Sequence, residues 1–390
     1  MKFPSISLSR EWKELKKFES LESSVRSIVF YAENKASMNH FKSLIDELTE
    51  SLGREICYIT SNRSDPILTT KNNKIHTFYV GSGTARDKLF LGLKADVLVT
   101  DMPDLETYHI KRSKTHPVHY VYVFHSMFSI HSYLRKGALD NYDTIFCVGQ
   151  HHVNEIRETE KVYGLKSKNL INYGYGRLDT LLQERENFQR INHNTKDLII
   201  IAPSYGNNNL LEKCGLALIE ILLKLNFKVM LRPHFITLRD STKLIDSIKE
   251  KFGKNRNFVL ERGIIPSDSF HNSLCMISDW SGISLEYAFA LERPVLFVDV
   301  PKKINNPDFE KIHCEIIETN IRREIGYVIS PNELERIPEK INSLLQNLDK
   351  FRKKIIKIRS KTVFNIGKSA IMGAKHIIKI ADEHKEINKL

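Results

Sequence analysis

Residues 277–298 are ISDWSGISLEYAFALERPVLFV, and this stretch decides the fold. The apolar run from Leu274 to Ile277 predicts a buried strand, and a polar turn of small residues follows it from Ser278 to Gly282. The next apolar residues recur at the spacing of a helix, and a second apolar run closes the unit at Val298. The stretch therefore predicts a strand, a turn, a helix and a second strand in succession.

The turn from Ser278 to Gly282 predicts a binding site for an anion. It offers hydroxyl groups and backbone N–H groups at the start of a helix, where the helix dipole favours negative charge. Glu286 follows one turn into the helix, where its carboxylate could reach the hydroxyl groups of a ribose. The alternative is an ordinary helix cap with a solvated glutamate, and the spacing alone favours neither interpretation.

The composition indicates a soluble protein of two domains. The chain has 390 residues, of which 41% are hydrophobic. It lacks the run of about 18 apolar residues that a transmembrane helix needs. Residues Met1 to Lys16 also lack the apolar core of a signal peptide, so we expect a cytoplasmic location. The net charge of +12 favours an acidic partner, but its sign alone does not choose between lipid, polyphosphate polymer, nucleotide and nucleic acid. Five scattered cysteines without a CxxC pair predict free thiols.

The first half of the chain alternates predicted strands with predicted helices, which indicates a parallel sheet with crossover helices. Strands are predicted at 27–31, 55–60, 75–80, 96–100, 118–124 and 143–148, and helices at 38–52, 84–93 and 150–163. Gly81-Ser82-Gly83 lacks the GxGxxG spacing of a dinucleotide site, because Arg86 occupies the third glycine position. We interpret it as a plain turn between a strand and a helix.

His125 directly follows the predicted strand at 118–124. Ligands of open α/β sheets bind at the carboxyl ends of the strands, so this histidine is placed where chemistry occurs. By position alone, however, such a histidine is more often structural. His131 and the pair His151 and His152 are nearby alternatives, and the histidine spacing matches no zinc site.

The polar segment from Gln183 to Lys196 is predicted to connect two domains, 1–182 and 197–390. In the second domain, strands are predicted at 197–202, 228–231 and 258–261. The second of these is followed directly by Arg232-Pro233-His234. Because proline fixes the backbone, this triplet presents Arg232 and His234 in a rigid turn. Arg232 could bind phosphate and His234 could exchange a proton. The alternative is a turn with two exposed side chains.

The C-terminal part predicts helices at 331–345 and 348–363. The second helix contains FRKKIIKIR at 351–359, which is strongly basic and has an apolar face. Two interpretations stay open at this point. The helix could lie on an anionic membrane surface, or it could close the domain with a solvated basic face.

These segments resemble the CDP-glycerol glycerophosphotransferases, the polyol-phosphate transferases of teichoic acid and capsule synthesis. The resemblance covers roughly residues 118–380 and rests on four motifs in the family's order: His125, NYGYGRLDTL at 172–181, Arg232-Pro233-His234, and the stretch at 277–298. The chain departs from the family at three positions. It has Ser126 for a usual glycine, Gly176 for a usual proline, and Gly206 for a usual basic residue.

The resemblance implies an α/β fold with two Rossmann-like domains facing a cleft, as in GT-B enzymes. Domain 1–182 would be on the acceptor side, and domain 197–390, with closing C-terminal helices, would bind a CDP-polyol. The implied reaction transfers a polyol phosphate, above all glycerol phosphate, to a hydroxyl group of a cell-surface polymer or lipid-linked acceptor and releases CMP. No metal, cofactor or nucleic acid is implied. The protein could also be peripheral on the inner face of the membrane. The alternative is a GT-B glycosyltransferase or epimerase that uses a nucleotide sugar.

The resemblance also implies roles for individual residues. His125 is expected as the general base on the acceptor hydroxyl, and His234 is expected as a second catalytic residue that stabilises the diphosphate with Arg232. Arg177 is either an anion clamp or the partner of Asp179. The further expected substrate-binding residues are Ser204, Ser278, Asp279, Ser281, Gly282 and Glu286.

Overall fold

The strands form two sheets in which every observed pair of neighbours is parallel. The computed structural model describes residues 9–191, 197–262 and 267–387. The first sheet contains β1 (Ile28–Ala32), β2 (Ile56–Thr60), β3 (Ile75–Tyr79), β4 (Val97–Thr100), β5 (His119–Val123), β6 (Thr144–Cys147) and β7 (Asn169–Asn172). The second sheet contains β8 (Leu198–Ala202), β9 (Lys228–Leu231), β10 (Phe258–Leu260), β11 (Ser273–Ser278), β12 (Val295–Val298) and β13 (Gly326–Ile329).

Helices connect and cover these strands. They are α1 (Arg10–Glu19), α2 (Met38–Asp46), α3 (Thr84–Gly92), α4 (Gln150–Tyr163), α5 (Gly176–Ile191), α6 (Leu210–Lys224), α7 (Phe235–Asp240), α8 (Thr242–Phe252), α9 (Ser267–Asn272), α10 (Ile283–Leu291), α11 (Ile317–Glu324), α12 (Ile337–Gln346), α13 (Leu348–Thr362) and α14 (Ser369–Ile387). A π-helical turn, Glu47–Ser51, extends α2. The predicted strand-turn-helix-strand unit is confirmed as β11, α10 and β12.

Both sheets reverse their strand order at one point. The first has the order β3-β2-β1-β4-β5-β6-β7 and the second the order β10-β9-β8-β11-β12-β13. The chain thus returns to the middle of each sheet, between β1 and β4 and between β8 and β11. Such switch points leave a crevice at the carboxyl ends of the strands, where ligands of doubly wound folds bind. The predicted fold class is confirmed.

The central strands consist of continuous apolar runs because both of their faces are covered. Strands β1, β2, β4 and β6 are buried along their whole length. Five cysteines are free, and all but Cys314 are buried, as the sequence predicts.

The predicted connection from Gln183 to Lys196 differs from the structure. Helix α5 continues to Ile191, and residues 192–196 lie outside the described part of the chain. The sequence is polar here, but Leu181 is buried and Arg185 binds Glu292 of the second half with a nitrogen–oxygen distance of 2.7 Å. The helix is therefore anchored by contacts that a local pattern does not reveal.

Helix α14 packs on the first sheet although it ends the chain. Its buried residues Ala374, Ile377 and Ala381 belong to one apolar cluster with Phe30 of β1 and Phe41 of α2. The predicted domain 197–390 therefore includes a helix that packs against the first sheet. The domain limits 1–182 and 197–390 stay a prediction.

The apolar face of α13 is buried inside the protein. Phe351, Ile355 and Ile358 are buried, and Arg352 and Arg359 both form ion pairs with Glu292. This arrangement favours a closing helix with a solvated basic face over a helix whose apolar face enters a membrane. Among the described residues, no helix is long and apolar enough to cross a bilayer.

Candidate active site

His125 and His234 come from different sheets and face the same cleft. His125 follows β5, and His234 precedes α7 directly after β9. An electrostatic interaction between the two rings contributes to the low pKa of His234. The two halves also touch here, because a Cβ atom added to Gly282 would lie 2.8 Å from Oγ of Ser126. The structure therefore brings the two predicted catalytic histidines together.

The ring of His125 is held with its Nε2 atom free of protons. Its Nδ1 atom lies 3.3 Å from the carbonyl oxygen of Asp101 and 3.4 Å from the hydroxyl of Tyr122. A carbonyl oxygen only accepts, so Nδ1 carries the proton and the neutral ring leaves a lone pair on Nε2. Burial lowers the pKa of His125, which favours this neutral form. The side chain of Asp101 is fixed in turn by Oγ of Ser37, 3.0 Å away.

His234 has the opposite arrangement. Its Nδ1 atom accepts a hydrogen bond of 3.2 Å from the backbone N–H of Ile236 at the start of α7. Burial, together with the positive charges of Lys303 and Arg232, lowers the pKa of His234 to about 4. The ring is therefore neutral at pH 7, and its proton resides on Nε2. Tyr205 stacks on this ring with 4.4 Å between the ring centroids.

The alternative histidines His131, His151 and His152 have partners of their own around the loop after β5. His131 is buried, and its Nδ1 atom lies 2.9 Å from a carboxylate oxygen of Glu155. The Nε2 atoms of His151 and His152 are 3.0 and 2.9 Å from the carbonyl oxygens of Met127 and Phe128. These three rings hold the loop after β5 in place.

Two arginines give the cleft a positive charge. Arg232 directly follows β9. Burial lowers the pKa of Arg232 to about 10. The negative charge of Glu286 raises this pKa, and the positive charge of Arg177 lowers it further. These three side chains therefore lie within electrostatic reach of one another. Arg177 is in the first turn of α5 rather than in a loop between domains.

The alternative role of Arg177, an ion pair with Asp179, is wrong. The carboxylate of Asp179 accepts hydrogen bonds of 2.6 and 2.9 Å from the backbone N–H groups of Gly367 and Ser369. It thereby fixes the start of α14. Arg177 is left to contribute charge to the cleft.

Glu286 connects the two halves of the protein. Its Oε1 atom accepts a hydrogen bond of 2.7 Å from the hydroxyl of Tyr175, and both side chains are buried. Tyr175 also lies 3.5 Å from Nδ1 of His40, whose ring centroid is 6.2 Å from that of His125. Sequence reasoning missed His40 and Tyr175 as site residues. Tyr175 lies within the motif at 172–181, which was the available signal, whereas His40 has none.

Ser278 and Asp279 hold the loops at the switch point of the second sheet. Ser278 donates to the carbonyl oxygen of Ala202 at 2.6 Å. Asp279 accepts from the backbone and hydroxyl of Ser204 at 2.7 and 3.0 Å and from the backbone of Leu210 at 2.9 Å. Ser278 and Asp279 are fully buried. For Ser204, Ser278 and Asp279 this geometry favours a positioning role over direct contact with a phosphate.

Ser281 and Gly282 are the part of the turn that remains open to the cleft. Both are partly exposed, and α10 begins after Gly282 without a side-chain cap. The hydroxyl of Ser284 turns back to the carbonyl oxygen of Ser281 at 2.8 Å. The N-terminal end of α10 is thus a suitable place for a negatively charged group.

Replacing Asp279 with alanine is expected to lower the free energy of unfolding by about 3 kcal/mol, because three donors lose their acceptor in a buried site. Urea denaturation of the purified variant measures this change. Asp240→Ala is the control, since Asp240 is exposed and pairs only with its exposed neighbour Arg239. Equal stability of the two variants would contradict the positioning role.

A family model described as CDP-glycerol:poly(glycerophosphate) glycerophosphotransferase matches residues 17–304. The match starts nearer the N-terminus than the resemblance at 118–380 and ends before the C-terminal helices. The search of curated protein sequences gave no relative.

Solved structures with the same fold include several nucleotide-dependent enzymes. The wall teichoic acid polymerase TagF, soaked with CDPG, has a TM-score of 0.59 and 15% identity, with coverage of 96% of this chain and 94% of that one. The UDP-GlcNAc 2-epimerase of Methanocaldococcus jannaschii has a TM-score of 0.57 and 14% identity, with coverage of 92% and 99%. That of Neisseria meningitidis has a TM-score of 0.54 and 14% identity, with coverage of 90% and 100%. At these identities the likeness concerns the fold.

Proposed function

Because the chain belongs to the CDP-glycerol:poly(glycerophosphate) glycerophosphotransferase family, we propose that its cleft transfers glycerol phosphate from CDP-glycerol to a hydroxyl group of a growing polymer, as in teichoic acid synthesis. The observation that carries the proposal is the pair of contacts at Nδ1, with the carbonyl oxygen of Asp101 for His125 and with the backbone N–H of Ile236 for His234, which assign opposite protonation to the two Nε2 atoms. His125 offers a lone pair and His234 offers an N–H group to one cleft. The lone pair suits the deprotonation of an acceptor hydroxyl, and the N–H group suits the stabilisation of phosphate charge.

In this mechanism His125 acts on the acceptor. Its Nε2 atom takes the proton of the acceptor hydroxyl while the oxygen attacks the phosphorus atom that bears the glycerol. A new P–O bond forms, the bond from this phosphorus to the bridging oxygen of the diphosphate breaks, and CMP leaves with the bonding electrons. Phosphoryl transfer of this kind depends mainly on positioning and on neutralising charge.

The second half of the protein binds the diphosphate in this proposal. His234 donates from Nε2 to a phosphate oxygen, Arg232 supplies positive charge, and Arg177 adds positive charge from the first half. Ser281 and the backbone of Gly282 hold the phosphate next to the cytidine at the start of α10. The buried side chains of Ser204, Ser278 and Asp279 support this loop from behind. The carboxylate of Glu286 binds the ribose with Oε2, since Oε1 already accepts from Tyr175.

A donor panel tests the proposed function. Purified protein is incubated with CDP-glycerol, CDP-ribitol or UDP-N-acetylglucosamine and a glycerol phosphate primer, and released CMP and UDP are quantified. We expect CMP from CDP-glycerol and no UDP. Release of UDP without CMP would contradict the proposal and favour the glycosyltransferase or epimerase alternative.

We also propose that the protein works at an anionic membrane surface, where a lipid-linked acceptor resides. The exposed lysines of α13 support this, since each basic residue near such a surface contributes about 1 kcal/mol. We expect the protein to sediment with phosphatidylglycerol vesicles and to be released by salt.

Changing Lys353, Lys354 and Lys357, all exposed on α13, to glutamate is expected to abolish this sedimentation. The control changes Lys213, Lys243 and Lys254, which are exposed on other parts of the second half, so that the net charge is the same. Equal loss of binding in both triple variants would contradict a specific role of α13.

A further inference from the structure

Lys303 is a partly buried lysine close to His234. Its Nζ atom is shielded from solvent and has no hydrogen-bond partner in the described structure. The nearest groups are aromatic: Nζ lies 2.7 Å from the ring centroid of Tyr205 and 5.8 Å from that of Tyr133. Buried ammonium groups are normally paired, because removing an ion from water is costly. The ammonium group therefore has an aromatic contact but no hydrogen-bond acceptor, and an anionic ligand would supply the missing acceptor.

The loop that carries Lys303 is fixed between the two halves. It follows β12 and extends across to the first half, where the backbone of Asn305 donates to the carbonyl oxygen of Ser132 at 2.9 Å. The side chain of Asn306 donates to the carbonyl oxygen of His131 at 2.9 Å. Lys303 is therefore held in the cleft by contacts on both sides.

The position of Lys303 relative to His234 points to the kind of ligand. Its positive charge is the largest contribution to the low pKa of His234 after burial, which places it within electrostatic reach of the group that faces the donor. Both Lys303 and His234 contact the ring of Tyr205. An anion bound by Nε2 of His234 would thus lie near Lys303.

We propose that Lys303 binds the diphosphate of the donor, as a further phosphate-binding residue opposite His234. This inference rests on the proposed function, since CDP-glycerol supplies the diphosphate. The ammonium group would donate to a phosphate oxygen in a charge-assisted hydrogen bond and would stabilise the charge that develops on CMP as it leaves. Sequence reasoning missed Lys303 because nothing in its neighbourhood, Lys302-Lys303-Ile304, distinguishes it from a solvated lysine.

The titration of Lys303 supports a role in binding. Burial lowers its pKa to about 7, against the opposing effect of the carboxylate of Asp279. The titratable groups around it are Tyr133, Tyr205, His234 and Asp279. In the empty site the ammonium group therefore loses its proton as the pH rises above 7, whereas a bound diphosphate would retain it. Donor affinity should then fall between pH 7 and pH 9.

The test compares Lys303→Met, Lys303→Arg and Lys302→Met with the wild type. Lys302 is the matched control because it is the exposed neighbour in the same loop. Calorimetry measures the affinities for CDP-glycerol and for inorganic diphosphate. We expect Lys303→Met to weaken both affinities about 10-fold to 100-fold, as loss of a hydrogen bond to a charged group does. Arginine should restore part of the affinity, and Lys302→Met should bind like the wild type.

Two further readouts separate binding from a structural role. Lys303→Met should unfold at the same or a higher temperature, because it removes a buried charge without a partner. The affinity of Lys303→Met for CDP-glycerol should also stay constant between pH 7 and pH 9, whereas that of the wild type should fall. Since the surrounding groups are unchanged in this variant, the difference isolates Lys303.

Wild-type affinity of Lys303→Met for both probes would overturn the inference, and so would a wild type that binds neither. Affinity that is lost together with thermal stability would also overturn it. A wild type that binds both probes through Lys303 but releases no CMP would refute the proposed function while leaving the diphosphate site in place.

Discussion

Replacing His125 with alanine is expected to reduce the turnover of CDP-glycerol by about a hundredfold to ten-thousandfold, the usual contribution of a general base. The affinity for CDP-glycerol should remain near that of the wild type, because His125 acts on the acceptor. Release of CMP with donor and primer measures turnover, and calorimetry measures donor affinity. His313→Ala is the matched control, since His313 is exposed and has no place in the cleft.

The pH dependence of turnover is a second test of His125 as the general base. The base must be neutral, and burial lowers its pKa below the ordinary value. Turnover should therefore persist into mildly acidic solution and decline only as the pH falls through this lowered pKa. The assignment of the base would be contradicted if His313→Ala lost turnover while His125→Ala kept it. It would also be contradicted if wild-type turnover already declined at a pH above the ordinary histidine pKa.

Replacing His234 with alanine is expected to lower turnover by about a hundredfold to a thousandfold, as loss of one preorganised donor to a developing anion does. It should also weaken donor binding, in contrast to His125→Ala. Because the pKa of His234 is about 4, the wild-type ring stays neutral between pH 5 and pH 8 and imposes no limit there.

Glutamine at position 234 tests the assigned donor. Its amide can accept from Ile236 with oxygen and donate to phosphate with nitrogen, so we expect part of the lost turnover to return. Phe235→Ala serves as the control for the stacked rings, since Phe235 packs on His234 at 4.5 Å between centroids but is itself exposed. Full activity of His234→Ala would contradict the role of this histidine.

The sequence predicts the interior of both sheets well because their central strands are buried on both faces. Runs such as Leu198–Ala202 contain almost nothing but apolar residues, and their length separates them from helices. The strands β7 and β13 were not predicted. Their sequences, NLIN and GYVI, are short and only partly buried, so neither alternation nor a continuous apolar run appears.

Site residues were predictable from the sequence where a motif places them at the end of a strand. They were less predictable where contacts between distant segments determine the orientation of a side chain. His125 and His234 follow their strands directly, and the structure brings them to one cleft. The orientation of Asp279 could not be foreseen, because its partners Ser204 and Leu210 are far away in the sequence. Lys303 acquires its role only from burial between the two halves.

CDP-glycerol labelled separately in cytidine and in glycerol shows whether CMP leaves while glycerol phosphate is transferred. Each cleavage site gives a different labelled product. We expect the glycerol label to enter the primer and the cytidine label to be recovered as CMP in equal amount. Both amounts should fall together in His125→Ala. Recovery of the cytidine label as CDP would mean that the bond between glycerol and phosphate is cleaved instead, as in a glycosyltransferase, and would contradict the account.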